Sequence, residues 1–184
     1  MIILASASPR RKELFKQIVN DFKIITADID EEKSYSLPPL QAVLDIAKRK
    51  GLEVYKNHPN DIVISADTIV VLDNQIIGKP KDKEDAKRIL NALSNKTHQV
   101  ITAYCIFNKE QMINKYVISE VTFNKLDNEL INRYIESGSP LDKAGAYGIQ
   151  DSNEFPIVSK VIGSVDNVIG FPVKEIKEDL EKII

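Results

Sequence analysis

The sequence predicts a mixed α/β fold, and three observations carry that prediction. Apolar runs rich in β-branched residues, "IILA" at 2 to 5, "IVISADTIVVL" at 62 to 72 and "VITAYCIF" at 100 to 107, read as strands. Between them lie segments whose apolar residues recur at helical spacing. Turn signals sit at the joints, among them Asp73-Asn74 and the polar stretch after Phe107. The 184 residues, 43% hydrophobic and 28% charged, suffice for one substantial core, so a single domain over 1–184 is expected.

The elements follow in order. Ile2, Ile3, Leu4 and Ala5 form a buried strand that ends in "SASPRRKEL". Ser8 is suited to an N-cap and Pro9 to the first helical position, because proline has no N–H to leave unpaired there. A helix carrying Leu14, Phe15, Ile18 and Val19 should start at that point. "FKIITADI" at 22 to 29 reads as a second strand, and the acidic, polar "DEEKSYSLPP" as a loop that delays the next helix to about 40 to 55, with Val43, Leu44 and Ala47 on one face. The strand at 62 to 72 turns at Asp73-Asn74 into a short partner. Asp82 caps a helix with Ala86, Ile89, Leu90 and Leu93. Two strands, 98 to 107 and 112 to 125, form a hairpin, and a helix with Leu130, Ile131, Tyr134 and Ile135 comes next. "GSPLDKAGAYGIQDSN", holding Gly138, Gly145 and Gly148, reads as a loop that approaches a ligand. "PVKEIKEDLEKII" closes the chain as a helix with Val173, Ile176, Leu180 and Ile183.

Composition excludes several functions. A net charge of -2 gives no basic field for nucleic acid, and no apolar run approaches membrane-spanning length. No signal peptide is evident, so a cytoplasmic location is expected. The single Cys105 reads as a small buried hydrophobe. His98 and His58 have no second ligand at zinc spacing, and structural roles are expected for them. Tyr147, in the glycine loop, could stack on a base or pack in the core.

The opening turn is a candidate anion site. Ser8 and Pro9 leave backbone donors free at a helix N-terminus, and Arg10 and Arg11 add positive charge, which together suit a phosphate or a carboxylate. A capped surface helix with solvated arginines is the competing reading. Asp67 interrupts an apolar strand, where a carboxylate is costly unless it is exposed at a strand end, paired or bound to metal. Lys50 and the Lys79 of "GKP" read by themselves as surface lysines.

Taken together, "LASASPRRKEL", "SADTIVVLDNQIIGKPKDKEDA", "THQVITA", "LDKAGAYGIQ" and "NVIGFPV" resemble, in order and spacing, the Maf family of nucleoside triphosphate pyrophosphatases over nearly the whole chain. The resemblance implies an ITPase-like elongated mixed β-sheet flanked by helices, with two lobes around a central cleft, in a homodimer. It implies hydrolysis of a nucleotide between its α and β phosphates with a divalent metal cation, Mg²⁺ or Mn²⁺. Ser6, Ser8, Arg10, Arg11, Lys50 and Lys79 match the family's phosphate-facing positions, and Asp67 matches its catalytic acidic residue, a proton acceptor that activates water directly or through the metal. Asp30 and Glu31 fall where the family places a further acidic residue, an additional metal ligand. Arg10, Thr68 and Gln150 resemble the branch that acts on dTTP and UTP, as opposed to the one directed at 7-methyl-GTP. The Gln150 amide can donate to O4 and accept from N3–H of thymine or uracil, although a rotated amide would meet cytosine. Asp151 departs from the family, which places a glycine there. The alternative function is a nucleotide-binding regulator of cell division, linked to septum formation, whose hydrolysis is incidental; turnover separates the two.

Overall fold

A computed structural model describes residues 1–184. Seven strands form one mixed sheet: β1 (Ile2–Leu4), β2 (Lys23–Ile24), β3 (Ile62–Leu72), β4 (Gln75–Ile77), β5 (Thr97–Phe107), β6 (Met112–Phe123) and β7 (Val158–Ile162). The order is β2-β1-β3-β5-β6-β7, with β4 paired to β3 off that path. Strand β1 runs parallel to both neighbours, with Ile2 opposite Ile62 and Ile3 opposite Lys23, whereas β3 and β4 are antiparallel. Six helices accompany the sheet: α1 (Pro9–Phe15), α2 (Pro39–Tyr55), α3 (Lys83–Leu93), α4 (Asn128–Glu136), α5 (Val165–Ile169) and α6 (Val173–Leu180).

Local chemistry accounts for most boundaries. Asp73 and Asn74 both adopt positive φ, 49° and 61°, the geometry that a two-residue hairpin turn demands, and they link β3 to β4. Asp82 and Asp127 accept from the backbone N–H of Asp85 and Leu130, each at 2.8 Å, and so cap α3 and α4. The expected strand over 22 to 29 shrinks to Lys23–Ile24. Its partner β1 is only three residues long and offers no further ladder, and Ile25 and Ala27 pack instead against the cluster around Val54. Helix α1 ends at Phe15, short of Val19, in overlapping turns that accept on the carbonyls of Leu14 and Phe15. The glycine-rich segment is wound into three 3-10 turns, Ser139–Asp142, Ala144–Ala146 and Ile149–Asn153. Strand β7 and helix α5 lie where sequence periodicity gave no element.

The chain divides into two compact units. The first comprises residues 1–68, 102–117 and 170–184, and the second 69–101 and 118–169. In the first, Ile3, Ala5, Val54, Val63, Cys105 and Phe107 pack as a cluster in which Cys105 is fully buried. Burial pushes the Cys105 thiol up to about 12, so it stays protonated. In the second, the stripes of α3 and α4 close on Val100, Val121, Phe123, Tyr147 and Phe155. Tyr147 is part of this core: its hydroxyl bonds His98 Nε2 at 2.7 Å, and its ring meets Phe123 edge-on. No helix is long and apolar enough to cross a membrane.

Candidate active site

The first unit gathers the chemistry-bearing groups around β3. Asp67 follows Ala66 at the end of that unit's share of the strand, and its residue is only 7% exposed. A carboxylate at such a depth must find a partner. Lys50, in the later half of α2, supplies it: Nζ lies 2.8 Å from Asp67 Oδ1 and 2.7 Å from Glu31 Oε1. One ammonium therefore bridges two carboxylates.

Two features let Lys50 reach that far. The Ser65 hydroxyl donates to the Ala47 carbonyl at 2.6 Å, which ties α2 to β3. Gly51 then allows close approach, since a Cβ on it would sit 2.5 Å from the Phe107 ring and 2.6 Å from Ser65 Oγ. Burial raises the Asp67 pKa, opposed by the charges of Lys50 and Arg11 and assisted by Glu31.

The Ser6-Arg11 turn stands beside this group. Ser8 caps α1, accepting weakly from the Arg11 N–H at 3.4 Å, and the Ser6 hydroxyl accepts from the Ser8 N–H at 3.2 Å. The Arg11 guanidinium is spread over protein acceptors. Nε donates to the Gly170 carbonyl at 2.9 Å, Nη2 to Thr68 Oγ1 at 3.1 Å and Nη1 to Ser6 Oγ at 3.4 Å. Burial and the neighbouring Arg10 pull its pKa down while Asp67 and Glu31 raise it, and it stays charged. Thr68 also shares a hydrogen bond with Thr102 Oγ1 at 2.8 Å, and its hydroxyl lies 3.4 Å from the Gly170 carbonyl. Arg10 is half-buried on the same turn.

The acidic stretch is divided by its geometry. Asp30 caps the 3-10 turn Glu31–Ser34, accepting from the Glu32 N–H at 3.2 Å, while its other oxygen lies 3.8 Å from Lys33. Glu31 turns toward Lys50 and Asp67. No group of three or more His, Cys, Asp or Glu side chains stands together. Asp67 and Glu31 are the two carboxylates that Lys50 brings together; as a donor set, one or two carboxylates is what a hard divalent cation takes before completing its shell with water and phosphate oxygens.

Lys79 and Gln150 belong to the second unit, and both are exposed. Lys79 lies between β4 and α3, and Gln150 lies in the turn Ile149–Asn153. Asp151 gives that turn an anchor. Its Oδ2 accepts from the Tyr134 hydroxyl at 2.7 Å and the Ser139 hydroxyl at 2.6 Å, while the Tyr134 oxygen accepts from the Gly148 N–H at 2.9 Å.

Sequence reasoning missed several contributors: Thr102, the Gly170 carbonyl, and the trio Ser34, Asp45 and Arg49. Of these, only the Asp45 and Arg49 spacing, one helical turn apart, left a legible signal.

A buried carboxylate, a bridging lysine and an arginine-bearing helix start thus stand together on one mixed α/β sheet, a set of charges suited to phosphate groups. The model of the Maf-like protein family matches residues 1–183, and the chain belongs to that family. The dTTP/UTP pyrophosphatase of Fusobacterium nucleatum is 45% identical over 184 residues, covering 99% of this chain and 95% of the relative. That of Thermococcus onnurineus is 44% identical over 174 residues, covering 95% and 93%. The structure of the Staphylococcus aureus Ham1 protein shares the fold, with a TM-score of 0.57 at 16% identity over 98% of both chains.

Proposed function

We propose that this protein hydrolyses dTTP and UTP to the monophosphate and pyrophosphate, with Asp67 as proton acceptor. The observation that carries the reading is the buried Asp67 carboxylate held at 2.8 Å by a lysine that also holds Glu31. The names of the relatives, all with high coverage, support the substrate. A triphosphate carries about four negative charges, so its cleavage rests on placed cations more than on a covalent nucleophile.

Water attacks the α-phosphorus, an O–P bond forms as the bond to the bridging oxygen breaks, and pyrophosphate leaves. Lys50 engages Asp67 Oδ1, which leaves Oδ2 to take the proton from the water. Arg10, together with Ser6 and Ser8 at the helix start, faces phosphate oxygens; Arg11 holds the turn in shape by its bonds to Gly170, Thr68 and Ser6 and adds charge behind it. Lys79 is read as a further phosphate ligand, and Arg10, Thr68 and Gln150 as the positions that select the pyrimidine. Asp67 and Glu31 would hold Mg²⁺ or Mn²⁺, which when bound supplies positive charge to the phosphate oxygens and acidifies water. We read residues 1–184 as one ITPase-like domain, in keeping with the family match over residues 1–183, and propose that it works as a cytoplasmic homodimer.

The test is pyrophosphate release from dTTP and UTP with Mg²⁺. The native protein is expected to turn over both, and Asp67→Asn to lose at least about a hundredfold in kcat, the lower range for a general base. Tight nucleotide binding by the native protein with no turnover would instead support a regulatory role.

A further inference from the structure

We propose that Arg49, acting with Asp45 and Ser34, is a positioning residue that holds the Glu31 turn against Lys50, and so fixes how that lysine is shared between Glu31 and Asp67. The inference rests on reading Asp67 and Lys50 as reaction machinery. Arg49 immediately precedes Lys50, but one residue of helix rotates the side chain by about 100°, so it leaves α2 in another direction. Its three donor nitrogens are all engaged. Nε donates to Asp45 Oδ2 at 2.9 Å one turn back, Nη1 to the Asp30 carbonyl at 2.9 Å, and Nη2 to Ser34 Oγ. The Ser34 hydroxyl in turn donates to Asp45 Oδ2 at 2.7 Å.

The guanidinium therefore grips both ends of the turn Glu31–Ser34: the carbonyl of its capping residue and the side chain of its last residue. Glu31 lies between the two grips, 2.7 Å from Lys50. The turn has no apolar anchor of its own. Ser34 is buried, whereas Glu32, Lys33, Tyr35, Ser36 and Leu37 are exposed. A segment with so little buried surface opens easily unless polar contacts fix it. Arginine suits the task because its planar fork reaches three acceptors at once; a lysine would keep the charge and the pairing with Asp45 but not the fork.

The experiment uses full-length protein as Arg49→Lys, Arg49→Met, Glu31→Gln and the double variant Arg49→Lys/Glu31→Gln. Arg49→Lys retains the ion pair within α2, so it guards against a simple failure to fold. Amide hydrogen exchange over residues 31 to 35 is expected to quicken by at least about tenfold in both Arg49 variants, with β3 and the rest of α2 unchanged. With UTP and Mg²⁺, Arg49→Lys should change kcat by the same factor as Glu31→Gln, leave KM within about twofold, and add nothing further in the double variant. Unchanged exchange over residues 31 to 35, no effect of Glu31→Gln on kcat, or factors that multiply in the double variant would each overturn the inference. If the native enzyme turns over and Asp67→Asn does not, yet the factors multiply, positioning alone fails. A native protein without turnover sinks the pyrophosphatase reading, and this inference with it.

Discussion

Asp67 is pulled in two directions, and its titration reports which pull is greater. Burial favours the protonated acid, while Lys50 and Arg11 favour the carboxylate, and the balance leaves the pKa above the ordinary carboxylate range. A base must be ionised, so the acid limb of kcat/KM is expected above the usual aspartate value of about 4. Lys50→Met removes the nearest stabilising charge and should move that limb to higher pH while lowering the plateau, which a pH-rate profile measures. The stability consequence has the opposite sense to that of a salt-bridged surface aspartate. The folded chain holds this proton more tightly than the unfolded chain, so the ionised group costs stability once pH rises above its unfolded value. Asp67→Asn should therefore melt at the native temperature or higher at pH 7; a lower melting temperature would show that the Lys50 pair outweighs burial.

The residues of this group differ in how legible they were. A carboxylate inside "ISADTIVV" stands out because the strand around it is apolar. Lys50 does not, since one lysine on a helix looks like any other; what distinguishes it is the absence of a side chain on Gly51 and the depth of Ser65, both tertiary facts. Asp30 and Glu31 are adjacent acids with equal claims in the sequence. A four-residue turn sends one to a cap and the other to Lys50.

Among the elements, α6 shows how a buried acid can serve structure alone. Asp179 is 3% exposed and accepts from the Tyr104 hydroxyl of β5 at 2.7 Å, from Lys115 of β6 at 2.8 Å and from Lys182 at 2.8 Å. These bonds outweigh burial and bring its pKa down to about 2. A lowered carboxylate pKa contributes stability that is present above its unfolded value and lost as pH falls through the folded one. Asp179→Ala should cost on the order of 2 kcal/mol at pH 7 by denaturant unfolding, and less below about pH 3.

Strand β5 carries the opposite case. His98 is 2% exposed, bonded to Tyr147 and without a partner at Nδ1, and burial brings it down to about 4. A depressed histidine pKa makes the folded state bind fewer protons, so stability should begin to fall as pH drops below 6.5 and level off near 4. His98→Gln should flatten that part of the unfolding profile. At this scale the capped helices and the Asp73-Asn74 hairpin were readable, because their signals are local. The glycine-rich segment was not, because its 3-10 turns are held by Asp151, Tyr134 and Ser139 across a span of residues. Strand β7 was hidden too: its pattern is mostly exposed and it is defined by pairing with β6.

For the whole molecule, the alternation of apolar runs and helical stripes sufficed for a mixed α/β fold, while strand order did not follow from it. That β1 lies between β2 and β3, and that β3 neighbours β5, depends on crossovers that no local window contains. The candidate site likewise draws on distant stretches of chain, for Ser6 to Arg11, Glu31, Lys50, Asp67, Thr102 and Gly170 come from six separate segments of one compact unit. On the proposed function, this gathering cuts a pyrimidine nucleoside triphosphate between its α and β phosphates. Phosphorus NMR of UTP incubated with the native protein and Mg²⁺ tests it directly: UMP and pyrophosphate should appear in equal amounts. Formation of UDP and orthophosphate, or an unchanged triphosphate spectrum, would contradict it.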